Sequence, residues 1–317
     1  MPRRVLISGS VAYDTIMVFE GHFKDHILPD RVHMLNVAFL APKLQREYGG
    51  CAANIAYTLR LLGGHPVVLA TVGRDGEDYL ARLRELGIDI SQLRRLDAHY
   101  TAQAFITTDL SDNQIIAFHP GAMSEAHAVS AAAAQRAGEP AAFGIVAPNG
   151  REAMLQHARE FAEAGVPYIF DPGQGLPMFD GAALRAFVES ASAVAVNDYE
   201  SSLLVERTGW SEAEISERVQ ALIVTRGAQG SRLYRSGRMT EIAPAAIGRA
   251  VDPTGCGDAY RAGLLYALAN GGDWVDAARL GSIMGAIKIE HPGAQNHPVQ
   301  RDEVARRFEA AYGRAPW

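Results

Sequence analysis

The sequence predicts an α/β protein in which a central, mainly parallel sheet carries helices on both faces and a small β-sheet forms a lid. Three observations point there. Short, continuously apolar runs alternate with helical segments along most of the chain. Runs without polar alternation belong to strands covered on both sides, as in parallel sheets. Two β-rich stretches then break the alternation.

The elements follow in chain order. "VLISGS" (5–10) reads as a buried strand and "NIAYTLRLLGG" (54–64) as a helix stopped by glycines. "VVLATVG" (67–73) and "DYLARLRELG" (78–87) repeat the pair. The rhythm resumes with "FGIVAP" (143–148), a helix over 151–164, "YIFDP" (168–172), a helix over 182–190, "AVAVN" (193–197), a helix from Tyr199 and "LIVTRG" (222–227). "SAAAAQRAG" (130–138) reads as a surface helix. The interruptions are the long segment after Ser10 and "TAQAFITTDLSDNQIIAFHP" (101–120), a hairpin turning around Leu110 to Asn113. Hairpins this short need a surface to pack on, so both are assigned to one small sheet over the ligand edge of the main one. The core then comprises 1–12, 47–97 and 121–317, and the lid 13–46 and 98–120. Ligands are expected at the carboxyl ends of the strands.

Composition bounds the function. The chain has 317 residues, 48% of them apolar and 21% charged, which suits a folded globular protein. A net charge of −6 argues against broad binding to nucleic acid or anionic membranes. "MPRRVLISGS" lacks the apolar core of a signal peptide, and no run approaches the roughly 18 apolar residues of a membrane span. A cytoplasmic location is the expectation. Cys51 and Cys256, the two cysteines, sit in glycine motifs and are read as reduced, small side chains.

Chemistry concentrates in "DPTGCGDAYRAG" (252–263). Asp258, Ala259, Ala262, Gly263 and Tyr266 recur at helical spacing and Asn270-Gly271-Gly272 ends the pattern, so Gly255-Cys256-Gly257 opens a helix. The free N–H groups and dipole of such an end attract an anion, and glycine lets a phosphate approach the backbone. A carboxylate in that first turn serves either as a dipole partner or as a catalyst, and spacing alone leaves both open. "GSVAYD" places Ser10 and Asp14 just past the first strand, and "EYGGCAANIAYTL" places Gly49, Gly50 and Asn54 at a glycine-rich helix entry. Alone, these are turn residues. "VNDYE" supplies Asn197 and Glu200, otherwise a helix cap, and "VTRGAQG" supplies Thr225, Gly227 and Gly230, otherwise a turn. The dinucleotide G-x-G-x-x-G is absent at the first strand and no Walker motif occurs anywhere.

Taken together these segments resemble the ribokinase-like (PfkB) carbohydrate and nucleoside kinases. The resemblance implies that Asp258 is the general base and that the amides of Gly255, Cys256 and Gly257 form an anion hole for the transferred phosphoryl group. It implies acceptor binding by Ser10, Asp14, Gly49, Gly50 and Asn54, and ordering of Mg²⁺ and phosphates by Asn197 and Glu200, largely through water. Thr225, Gly227 and Gly230 would lie beneath ATP, and Asp252 and Thr254 would be ligands of a monovalent cation such as K⁺.

Within that family "FHPGAMSEA" (118–126), "DPGQG" (171–175), "NDYE" (197–200) and "TGWSEA" (208–213) resemble bacterial adenosine kinases. That likeness implies ATP-dependent phosphorylation of the adenosine 5′-hydroxyl to AMP, with Phe118 stacking on the purine and Gln174 bonding near it. Where a second lid aromatic is expected, this chain has Ala104 followed by Phe105. Alternatives are a kinase of ribose, fructose or another nucleoside, and a non-catalytic nucleoside-binding protein. The lid is expected to close over the acceptor and to support a homodimer, because its outer β surface needs cover. Neither His22, His26 and His33 nor His291 and His297 show zinc spacing, and "EHPGAQNH" (290–297) is expected near the adenine of ATP.

Overall fold

The computed structural model describes residues 3–27 and 36–317. Its main sheet has nine strands, in spatial order β13 (Arg238–Ile242), β12 (Ser231–Arg235), β11 (Ala221–Thr225), β10 (Ala193–Asn197), β9 (Tyr168–Phe170), β8 (Phe143–Val146), β1 (Arg4–Ser8), β4 (His65–Gly73) and β5 (Leu93–Leu96). Every pairing from β11 to β5 is parallel, whereas β12 and β13 add an antiparallel edge. Chain order runs outward in both directions from β1 and β8, and a crevice at such a switch point is where open α/β sheets take ligands.

The apolar runs are continuous because each strand feeds two cores. Val5, Ile7, Val68 and Ala70 face one side, with Ile55, Leu59, Tyr79, Leu264 and Leu265 from α1 (Cys51–Leu61), α2 (Glu77–Glu85) and α8 (Cys256–Ala269). Leu6, Val67 and Leu69 face the other, with Met154, Phe161, Phe187 and Leu204 from α4 (Arg151–Glu163), α5 (Gly181–Ser190) and α6 (Asp198–Thr208). The alanine-rich segment forms α3 (Ala131–Arg136), but it is not a free surface helix. Ala131 and Ala134 are buried, and the Arg4 guanidinium donates to Ala134 O and Glu139 O.

The small sheet has the order β3 (Lys43–Gly49), β2 (Ala12–Val18), β6 (Ala102–Thr108), β7 (Gln114–His119), with β2 and β6 parallel. Asp109 makes the hairpin turn, its carboxylate accepting the N–H groups of Ser111 and Asn113 at 2.8 and 2.9 Å. The architecture is thus the one expected from the sequence, a large mostly parallel sheet with a small lid sheet.

Helix α1 begins at Cys51 rather than Asn54. Its start is made by residues far away in sequence, since the Ser10 hydroxyl accepts the Cys51 N–H at 3.0 Å and Ser10 O accepts that of Ala52. Gly50 turns the chain there with φ 90°, and a Cβ on it would come within 2.6 Å of Ser10 O. Among the described residues no helix is long and apolar enough to cross a membrane.

Candidate active site

The N-terminus of α8 is built by its neighbours as much as by its own residues. Gly255 caps it at φ 77°, and a Cβ would lie 2.9 Å from the Ala294 side chain. Ahead of it Asp252 stiffens the loop, its Oδ1 accepting the Thr254 N–H at 2.8 Å and its Oδ2 the Gly293 N–H at 2.7 Å. Burial alone would raise the Asp252 carboxyl; these bonds and nearby Lys288 bring it below its ordinary value. The Cys256 N–H is turned back to Pro253 O at 3.1 Å. Of the three amides expected to form an anion hole, that one is therefore engaged. Among the described residues the N–H groups of Gly255, Gly257 and Asp258 have no protein acceptor.

Asp258 stands in the first turn of α8, where Asn54 Nδ2 donates to its Oδ2 at 2.8 Å. Asn54 is held in turn. Gln295 Nε2 donates to Asn54 Oδ1 at 2.9 Å and lies 2.6 Å from the Tyr79 hydroxyl, which donates to Gly49 O. Burial pushes the Asp258 carboxyl up to about 7, with Asp171 adding to the rise and Asn54 and Arg261 opposing it. A half-buried carboxyl poised near neutrality beside free amides can take a proton from an alcohol while an anion is held next to it.

A cavity of about 750 Å³ opens from this point along the strand ends. Gly255, Cys256, Gly257 and Asp258 form one wall, and Asn197, Glu200, Thr225, Gly227 and Gly230 form another; Gln174 joins them from the turn after β9. Asn197 and Glu200 make a capping box for α6, each side chain bonded to the other's N–H at 2.8 Å. That cap uses Glu200 Oε2. Burial, with Asp171 adding, raises the Glu200 carboxyl. A carboxylate at a cavity wall with one oxygen outside its cap suits a hard cation approached through water, so Asn197 and Glu200 fit the expected Mg²⁺. Gly230 is required by backbone proximity, since a Cβ would lie 2.2 Å from Ile242 O.

The remaining expected residues lie outside that cavity's lining. Ser10 is the cap of α1, and Asn54 reaches the site through Asp258. Asp14 lies inside lid strand β2, opposite Glu47 and Ala104, while Phe118 is opposite Ala104 on β7. Asp14, Ala104 and Phe118 therefore share one face of the lid, and Phe105 is on the other. Gly49 gives Asp14 room, because a Cβ there would sit 2.5 Å from Asp14 Oδ2. Burial, then Glu47 and Asp252, push Asp14 up to about 6. Phe118 is 53% exposed.

The profile of the pfkB carbohydrate kinases matches residues 5–301. The chain belongs to the pfkB family. It is 31% identical to the nucleoside kinase of Methanocaldococcus jannaschii over 86% of this chain and 89% of that one. The nucleoside kinase of Burkholderia thailandensis in complex with inosine superposes with a TM-score of 0.87 at 50% identity, covering 98% of this chain and 99% of that one. The ADP-inosine complex of the same protein gives 0.85 at 52%, covering 98% and 97%.

Two parts of this pfkB chain were not legible in its sequence. Asp171, from the quoted "DPGQG", holds Arg261 in a buried bidentate pair at 3.0 and 3.1 Å, and Arg261 also donates to Ala195 O at 3.2 Å. An arginine on the apolar stripe that follows Asp258 was the available signal. The 290–297 segment does not line the cavity where the adenine of ATP was expected. Gln295 and His297 instead face α1, His297 Nε2 lying 3.0 Å from Thr58 Oγ1, and burial drives His297 down to about 4. Among the described residues no three metal-ligating side chains cluster, and His33 lies outside those residues.

Proposed function

We propose that this pfkB kinase transfers the γ-phosphoryl group of ATP to the 5′-hydroxyl of a purine nucleoside, converting adenosine to AMP as a purine-salvage step in the cytoplasm. The juxtaposition of Asp258, oriented by Asn54, with the free amides of Gly255 and Gly257 carries the reading. In-line phosphoryl transfer needs a group to take the hydroxyl proton and dipoles to hold the migrating anion. Asp258 is assigned the first role and the amides the second. Thr225, Gly227 and Gly230, which line the cavity, are assigned to ATP. Mg²⁺ there neutralises phosphate charge when bound, and Asn197 and Glu200 are the residues to order it.

On the acceptor side Asp14 is assigned the ribose hydroxyls, Phe118 the base and Gln174 a polar edge of it. Ala104 between Asp14 and Phe118 leaves a smooth, small-residue floor on that lid face. The nucleoside-kinase relatives, one of them bound to inosine, support a nucleoside over a free sugar. Inosine differs from adenosine at the purine 6-position, so 6-oxopurines belong in the acceptor range. A coupled ADP-release assay with adenosine, inosine, cytidine, ribose and fructose tests this. Greater kcat/KM on a sugar than on any purine nucleoside refutes it.

The other lid face exposes Leu44, Phe105 and Ile115, at 67%, 40% and 43%. A second copy covering them makes a homodimer, which light scattering of the purified protein checks; a monomeric mass with and without adenosine opposes it.

A further inference from the structure

The Lys288 ammonium stands where two loops of the site meet. Lys288 is in the last turn of α9 (Trp274–Ile289), and its side chain is 0% exposed. Nζ donates to Asp252 O at 2.8 Å and to His291 O at 2.9 Å, and lies 4.0 Å from Asp252 Oδ2. One carbonyl belongs to the loop that enters α8, the other to the turn that leaves α9. The same seam is closed by the Gly293 N–H on Asp252 Oδ2 and by the contact of Gly255 with Ala294. The cation therefore ties down the backbone whose amides face the cavity.

Main-chain carbonyls beside a carboxylate, in a dry seam, are the donors that replace the hydration shell of a monovalent ion. Asp252 and Thr254 were expected to hold such an ion, and Asp252 does not fit it. Asp252 O is already bonded to Nζ, and both Asp252 carboxylate oxygens accept loop N–H groups. A second cation beside Nζ would also meet like-charge repulsion in a poorly screened interior. We propose that Lys288 is a built-in monovalent cation, a positioning residue that sets the loop at 252–257 so that turnover requires no K⁺. A lysine carries its charge at fixed stoichiometry, whereas an ion must be bound and desolvated each time.

The test has a wild-type arm and a variant arm. At equal ionic strength, wild-type kcat and melting temperature are the same in tetramethylammonium, sodium and potassium chloride. Lys288→Ala lowers kcat about 10²-fold, as expected for a misplaced loop, with nucleoside KM changed far less. Methylammonium, ammonium or K⁺ restores kcat in Lys288→Ala and raises its melting temperature. Lys288→Met, which fills the space without charge, is equally impaired and is not restored. A wild type that needs K⁺ overturns the proposal, as does a folded Lys288→Ala that no cation improves, or a Lys288→Met with normal turnover. If Lys288→Ala does not fold, the wild-type arm and Lys288→Met decide. The proposal rests on the kinase reading only for its kcat readout. Absence of turnover on every acceptor refutes that reading, while the melting temperatures still judge the role of Lys288.

Discussion

Asn54 Nδ2 donates to Asp258 Oδ2 at 2.8 Å across a sequence separation of 204 residues. The bond joins the entry of α1 to that of α8 and orients the carboxylate proposed as the base. Substituting the carboxylate tests what it does. Asp258→Asn is expected to lower kcat by about 10² to 10⁴ while the KM values for ATP and nucleoside change little, measured in the coupled assay. Near wild-type turnover would remove Asp258 from the mechanism.

Protonation gives a second check. With its native value raised to about 7, Asp258 is an active base only above that pH. The sign follows: kcat at saturating nucleoside rises with pH through neutrality and levels above it, falling to roughly one hundredth two units below the midpoint, while nucleoside kcat/KM falls further as Asp14 protonates below about 6. A profile flat from pH 5 to 8 contradicts the assignment.

Asn54→Ala separates orientation from proton transfer. The amide donor favours the charged carboxylate, so its loss is expected to move the acidic midpoint upward as well as to reduce kcat. A lower kcat with an unmoved midpoint would show that Asn54 acts elsewhere.

The lid residues should act on the acceptor alone. Asp14→Asn removes a charged hydrogen-bond acceptor, a loss of about 1.5–3 kcal/mol, and so raises nucleoside KM roughly 10- to 100-fold. Phe118→Ala is expected to raise the same constant, leaving KM for ATP unchanged in initial-rate measurements. An equal effect on both substrates would place these residues outside the acceptor site.

Arg261 and Asp171 predict a stability effect. Arg261→Met leaves Asp171 buried without its partner, at a cost of about 3–5 kcal/mol, read by denaturant unfolding. The double variant Arg261→Met, Asp171→Leu is expected to regain much of that loss. Failure to regain any would show that the pair does more than neutralise itself.

How much of this was readable beforehand depended on where the partners lie. The segments around Val5–Ile7, Val67–Leu69 and Ile223 announced buried parallel strands because two-sided burial leaves its record in consecutive residues. The glycine-flanked Asp258 announced a helix start for the same local reason, and the Asp109 turn was recognisable from its side-chain pattern. The start of α1 differs from the sequence expectation because the hydroxyl that caps it, Ser10, is 41 residues away. Asp14 belongs to the lid as its sequence position implies, but its pairing with Glu47 and Ala104 has no local mark.

By itself, then, the sequence determined the alternation of strands and helices, the presence of a β lid and the anion-seeking entry of α8, since periodicity, propensity and backbone termini act over a few residues. Only the tertiary structure decided which amide is engaged by Pro253, which side chain steers Asp258, which lid face Phe105 occupies, and that a lysine, Lys288, fastens the loop. Those outcomes depend on directions and distances between groups from separate elements, and chain folding sets them only when the sheets and helices come together.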